Sequence, residues 1–122
     1  NGVELLAAEA RVGEGPEAAV TVTMTWRAAA PLAIDEAVFV HWIRGGGVIA
    51  QSDASPGLGY LPMPAWRMGD SLVDVRVLRA WRGWEPGDEL RMGVYRRSDL
   101  RRASIASGPD AGATYFRLVA RR

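Results

Sequence analysis

Apolar and polar residues alternate along most of this chain with the two-residue period of half-buried strands. Val20, Val22, Met24 and Trp26 alternate with Thr21, Thr23, Thr25 and Arg27. Val73, Val75 and Val77 repeat the pattern against Asp74, Arg76 and Arg79, which predicts a strand with its valines turned inward. Leu90, Met92 and Val94 alternate with Arg91, Gly93 and Tyr95, and Phe116, Leu118 and Ala120 with Tyr115, Arg117 and Arg121. The opening segment 3–10 is a weaker strand, because its alanines would also suit a helix.

Turn signals separate these runs: Gly13-Glu-Gly-Pro16, Gly45-Gly-Gly47, Pro86-Gly-Asp88 and Gly108-Pro-Asp110. Short strands between Gly/Pro turns, with no persuasive helix, predict an all-β fold. The best match is an immunoglobulin-like β-sandwich of seven or eight mostly antiparallel strands. No repeat or linker divides the chain, so residues 1–122 read as one domain. Beginning in mid-pattern, it reads as a mature product or as a piece excised from a larger protein.

One strand breaks the half-polar rule. Val38, Val40 and Trp42 point one way while Phe39, His41 and Ile43 point the other, so both faces need cover. The segment that follows, 53–71, is longer than a connector requires, and such loops are functional or packed by their own side chains. Leu58, Tyr60, Leu61, Met63, Trp66 and Met68 supply apolar groups, and Pro56, Pro62 and Pro64 stiffen the path. The expectation is that this loop covers the strand and forms the principal candidate surface. His41, Asp53, Tyr60, Trp66 and Asp74 are its candidate ligand contacts.

Composition narrows the chemistry. The chain has 122 residues, no cysteine and no lysine, with 15 basic and 14 acidic side chains. A net charge of +1 argues against a nucleic-acid binder, which needs a basic face. No apolar run is long enough to span a membrane. Without cysteine there is neither a disulfide nor a thiolate nucleophile or metal ligand.

His41 is the sole histidine, and with Asp53, Ser52 and Ser55 it supplies the inventory of a catalytic triad. No nucleophile-elbow motif accompanies it, so no catalytic residue is assigned; a strand histidine hydrogen-bonded under the loop is the plainer account. Asp53, Asp70 and Asp74 bracket the loop and could converge on calcium, yet no calcium-loop spacing supports this. One such Asp can instead close a turn by accepting backbone N–H bonds, and no metal or cofactor is assigned.

Trp26 reads as core, and Trp42 and Trp66 as partners, strand against loop. Trp81 and Trp84, in Ala80-Trp-Arg-Gly-Trp-Glu-Pro86, form a secondary candidate surface. An exposed aromatic pair suits the apolar face of a sugar ring, a partner protein or a membrane interface, whereas a folded-back pair is packing. Arg96, Arg97, Arg101 and Arg102 cluster around a hairpin that could meet phosphate, or be a solvated turn closed by Asp99.

The order Phe39 and His41, a glycine turn, Gln51 and Asp53, Pro56 and Gly59, Pro62 and Trp66, Gly69, Asp74, Pro86-Gly87, then Gly93 and Tyr95 resembles a known domain. It is similar to the C-terminal domain of bacterial multispanning membrane glycosyltransferases of the dolichyl-phosphate-mannose or aminoarabinose-transferase-like type. The resemblance spans about residues 3–105. It implies a β-sandwich outside the cytoplasm, tethered to the cytoplasmic membrane through the parent protein. It also implies partners in that membrane part and in a glycan or lipid-linked sugar. Catalysis in that family is expected in the membrane part, so no catalytic role carries over. The functional expectation is therefore a non-catalytic accessory domain. Its alternatives are a purely structural or protein-interaction module and a secreted carbohydrate-binding module.

Overall fold

The computed structural model describes residues 3–15, 18–28, 36–54, 67–96, 98–102 and 112–121. Eight strands and no helix are found among them: β1 (Val3–Val12), β2 (Val20–Ala28), β3 (Glu36–Arg44), β4 (Gly47–Ala54), β5 (Ser71–Leu78), β6 (Glu89–Arg96), β7 (Phe116–Leu118) and β8 (Ala120–Arg121). They form two four-stranded sheets, ordered β5-β2-β1-β8 and β4-β3-β6-β7. Every pairing is antiparallel except β1 with β8. Strands one, two and five thus lie in one sheet and three, six and seven in the other, the partition of an immunoglobulin-like sandwich. The chain changes sheet between Leu118 and Ala120, pairing first with β6 and then with β1.

The core lies between the sheets. Val20, Val22, Met24 and Trp26 of β2 face Val38, Val40 and Trp42 of β3 and Leu90 and Met92 of β6 in one buried cluster. Full burial of each such aliphatic side chain contributes about 1.5–3 kcal/mol relative to exposure. The alternation expected for β2, β6 and the C-terminal residues is therefore the one adopted, and the opening segment is a strand.

β3 is buried on both faces, as its sequence requires: outward-facing Ala37, Phe39 and Ile43 are 0%, 1% and 5% exposed. Part of its outer cover comes from the β6–β7 connection. Arg102 pairs with Tyr95 in an isolated bridge and sets its guanidinium 4.5 Å from the Phe39 ring. A Cβ on Gly93 would come within 2.5 Å of Phe39 and 2.7 Å of the Thr114 carbonyl, so only glycine fits between them. Residues 55–66, expected to provide the cover, lie outside the described residues, as do 103–111.

β5 reverses the expected sidedness. Val73, Val75 and Val77 face solvent, 60%, 45% and 52% exposed, beside the Thr25, Thr23 and Thr21 row of β2. Asp74 and Arg76 face inward with Leu72 and Leu78. The reversal holds because every donor of the inward guanidinium finds an acceptor. Arg76 grips Asp74 through Nε and Nη2 at 2.8 and 2.9 Å. It also donates to the carbonyls of Val38, Ser52 and Ala54 at 3.0, 3.2 and 3.0 Å. A buried charge with its hydrogen bonds complete can stay inside where a bare one could not. The same bonds tie edge strand β5 to edge strand β4 of the opposite sheet.

Candidate functional site

Two groups of polar and aromatic side chains stand out. The first lies on the outer face of the β3 sheet, where the register sets His41 between Gln51 of β4 and Arg91 of β6. His41 Nε2 lies 3.6 Å from Asp53 Oδ1, beyond hydrogen-bond reach and an ion pair only when the imidazole is protonated. Its ring also packs 4.7 Å from Phe39. Burial lowers the histidine pKa below its ordinary value. Asp53 opposes the shift, and Arg102 and Arg91 add to it. The resting imidazole is therefore neutral near pH 7.

Among the described residues no triad assembles. Ser52 occupies the opposite parity on β4, its Oγ 3.3 Å from Arg76 on the inner side, while His41 faces outward. Ser55 lies outside the described residues. Asp74 is a correction too: it is fully buried and gripped by Arg76, out of reach of any ligand. Asp70 closes a turn, accepting the Arg67 N–H at 2.8 Å. Among the described residues, no cluster of three His, Cys, Asp or Glu could hold a metal ion. Tyr60 and Trp66 lie outside the described residues.

The second group is the β5–β6 loop, where the structure separates the expected tryptophan pair. Trp84 folds inward, its ring 5.6 Å from Trp42, and packs against the core. Trp81 points away, 76% exposed, with the Arg82 guanidinium 4.2 Å above its ring. So Trp42 stacks with Trp84, and the two loop tryptophans form no shared platform.

Arg44 and Asp88 build this loop from beneath. Asp88 accepts from Trp42 Nε1 at 2.9 Å, from Arg44 Nε and Nη2 at 3.0 and 2.7 Å, and from the Glu85 N–H at 3.0 Å. Burial alone would raise its pKa. The bonds from Arg44, Glu85 and Trp42, with the charge of Arg44, outweigh burial and hold it below the usual carboxylate value. Arg44 in turn donates to the carbonyls of Trp81, at 2.9 Å, and Gly83. Those two carbonyls flank Arg82, so its backbone is pinned on both sides.

The pinning matters because Arg82 has φ +69°, a left-handed conformation uncommon for a side chain with Cβ. The Gly83 N–H donates to the Ala80 carbonyl, making Arg82 the third residue of a turn. A positive φ there is the type II pattern, which calls for Gly or Asn. Two other turns of this chain obey the rule. Gly69 (φ +93°) holds the position in the Arg67–Asp70 turn, and Gly87 (φ +89°) holds it between Glu85 and Asp88. Arg82 departs from that rule, and Leu100 (φ +59°) is the other non-glycine residue at positive φ among the described residues. The spacing of Trp81 and Trp84 marked this loop in the sequence, but Arg44 and Asp88 carried no sequence signal tying them to it.

The basic cluster of the β6–β7 connection is a closed turn. Arg96 pairs with Asp99 at 3.1 Å, Asp99 accepts the Arg101 N–H at 3.0 Å, and Arg102 lies over Phe39. Arg97 lies outside the described residues. Compared with known proteins, the chain matches no family model and no curated relative.

Proposed function

We propose that this chain is a non-catalytic accessory domain of a membrane glycosyltransferase-like protein, held outside the cytoplasm, which contacts a glycan or lipid-linked sugar. The observation that carries the reading is Trp81: a large aromatic 76% exposed on a loop whose carbonyls are fixed by Arg44. An indole face offers a sugar ring an apolar surface, and a loop whose backbone is already fixed loses less entropy on binding. The order of Pro, Gly, Asp and aromatic residues that resembles the glycosyltransferase-associated domain supports the parentage. His41 and Asp53 supply a second, weaker polar surface on the sheet face.

The test is calorimetric titration of the folded domain with a panel of neutral and acidic oligosaccharides, in parallel with Trp81→Ala. Binding that disappears in the variant supports the reading. A blank across the panel sinks it in favour of a structural or protein-interaction module. The exposed Val73, Val75 and Val77 row favours that second reading, because an apolar row on an outer face suits a protein partner.

A further inference from the structure

Trp81 is not an isolated aromatic. It shares the corner of its turn with Arg82, whose guanidinium lies over the indole. Arg79, just before the turn, is exposed as well. The carboxylates of this loop turn the other way. Asp88 is buried beneath Arg44, and Glu85 leans toward the same guanidinium at 3.6 Å. Among the described residues, neither Arg79 nor Arg82 has a carboxylate within ion-pair distance.

The backbone adds an independent argument. Among the described residues, this turn holds an arginine where its geometry asks for glycine, while the Arg67–Asp70 and Glu85–Asp88 turns use glycine; Leu100 (φ +59°), in the β6–β7 turn, is the other non-glycine residue in left-handed geometry. Non-glycine residues in left-handed geometry persist when the surroundings over-determine them, and they gather at ligand-contacting sites. Here the surroundings do so from two directions. Arg44 holds the carbonyls on either side of Arg82, and Gly83 is seated so closely that a Cβ would lie 2.9 Å from the Gly15 carbonyl.

We propose that Trp81 and Arg82 form a binding site for an acidic sugar, a pyranose bearing a carboxylate or phosphate. The ring stacks on the indole face that Arg82 leaves open, and the Arg82 guanidinium takes the oxyanion past the ring edge. A guanidinium laid over an aromatic ring directs its N–H bonds sideways, where a carboxylate or phosphate accepts two of them in parallel. The indole alone would be indifferent to charge, so Arg82 is the specificity-determining residue. This inference rests on the glycan-contact reading and adds the charge of the ligand to it.

The experiment is calorimetry with a galacturonate trimer, a neutral galactose trimer, and vesicles of phosphatidylcholine and phosphatidylglycerol, at low and high salt. The expected result is binding of the acidic trimer about tenfold or more tighter than the neutral one, weakening with salt. Trp81→Ala should abolish it. Arg82→Gly, which suits the turn and so leaves folding intact, should reduce it to the neutral level. Equal affinity for both trimers, unchanged in Arg82→Gly, overturns the acidic-sugar inference and leaves the glycan reading standing. No binding of either trimer overturns both. Binding of the anionic vesicles alone overturns the sugar site and assigns the corner to a membrane surface.

Discussion

Arg76 and Asp74 lie two residues apart on the inner face of β5, and their side chains, both fully buried, close a two-bond ion pair between the sheets. The pair shares one guanidinium with backbone carbonyls of β3 and β4. It is both the counterion of a buried charge and the clasp along one side of the sandwich. Removing either partner strands the other. Asp74→Ala is expected to cost about 3–5 kcal/mol, the penalty of an uncompensated buried charge. Asp74→Ala with Arg76→Ala should cost less than the sum of the single changes, with a coupling of about 0.5–3 kcal/mol. Urea unfolding of the four proteins in the cycle measures it, and strictly additive losses would show that the pair does not act as a unit.

Asp88 makes the acid limb of stability predictable. Its folded pKa lies below its unfolded value. Its contribution is therefore complete above about pH 4 and is lost as pH falls through the folded value. Glu89 and Asp99 shift the same way, Glu89 chiefly through its bond from Arg91 and Asp99 through the Arg101 N–H, but Glu89 is half-buried at the surface and Asp99 exposed, and both add little. Urea unfolding between pH 2 and pH 5 should show Asp88→Asn less stable than the parent near pH 5, with a shallower fall toward acid. An unchanged slope would locate the acid sensitivity elsewhere.

The sheets were legible in the sequence because packing and periodicity agree in most strands. β2 and β6 put every apolar residue on one parity, and β3 is apolar on both faces and buried on both. β5 departs from its periodicity for a physical reason. Periodicity reports which residues alternate, and a row of valines outranks Asp and Arg on any hydrophobic scale. What reverses it is long-range: the carbonyls of Val38, Ser52 and Ala54, distant in sequence, complete the bonding of Arg76. The same limit applies to the site. Trp81 and Trp84 look equivalent as sequence neighbours, and only the Trp42 ring and the Asp88 hub show that one is packing and the other is presented outward.

His41 should titrate below an ordinary histidine, because burial disfavours its charged form and Arg102 and Arg91 reinforce the effect, with Asp53 opposing it. The unfolded chain then binds the proton more readily. Stability is expected to fall as pH drops from about 6.5 toward the folded value, and to level off below it. Asp53→Asn removes the opposing carboxylate and should lower the titration midpoint further. Proton NMR of the single imidazole follows both. An unchanged midpoint in Asp53→Asn would mean that the 3.6 Å separation transmits no useful charge interaction.

Arg82 separates stability from function at one position. Arg82→Ala and Arg82→Gly remove the same guanidinium and the same stacking on Trp81, but alanine keeps the left-handed strain that glycine relieves. The strain costs about 1–2 kcal/mol, and glycine's extra freedom in the unfolded chain offsets about 0.5–1 kcal/mol of it. Arg82→Gly should therefore be the more stable of the two by about 0.5–1 kcal/mol, in equilibrium unfolding. Both should lose the preference for an acidic sugar equally, because that preference belongs to the guanidinium and not to the backbone. If Arg82→Ala matched Arg82→Gly in stability, the turn would be relaxing around residue 82, and its backbone would not be over-determined. If the two matched in lost affinity while differing in stability, the arginine would be held at this corner for what it binds.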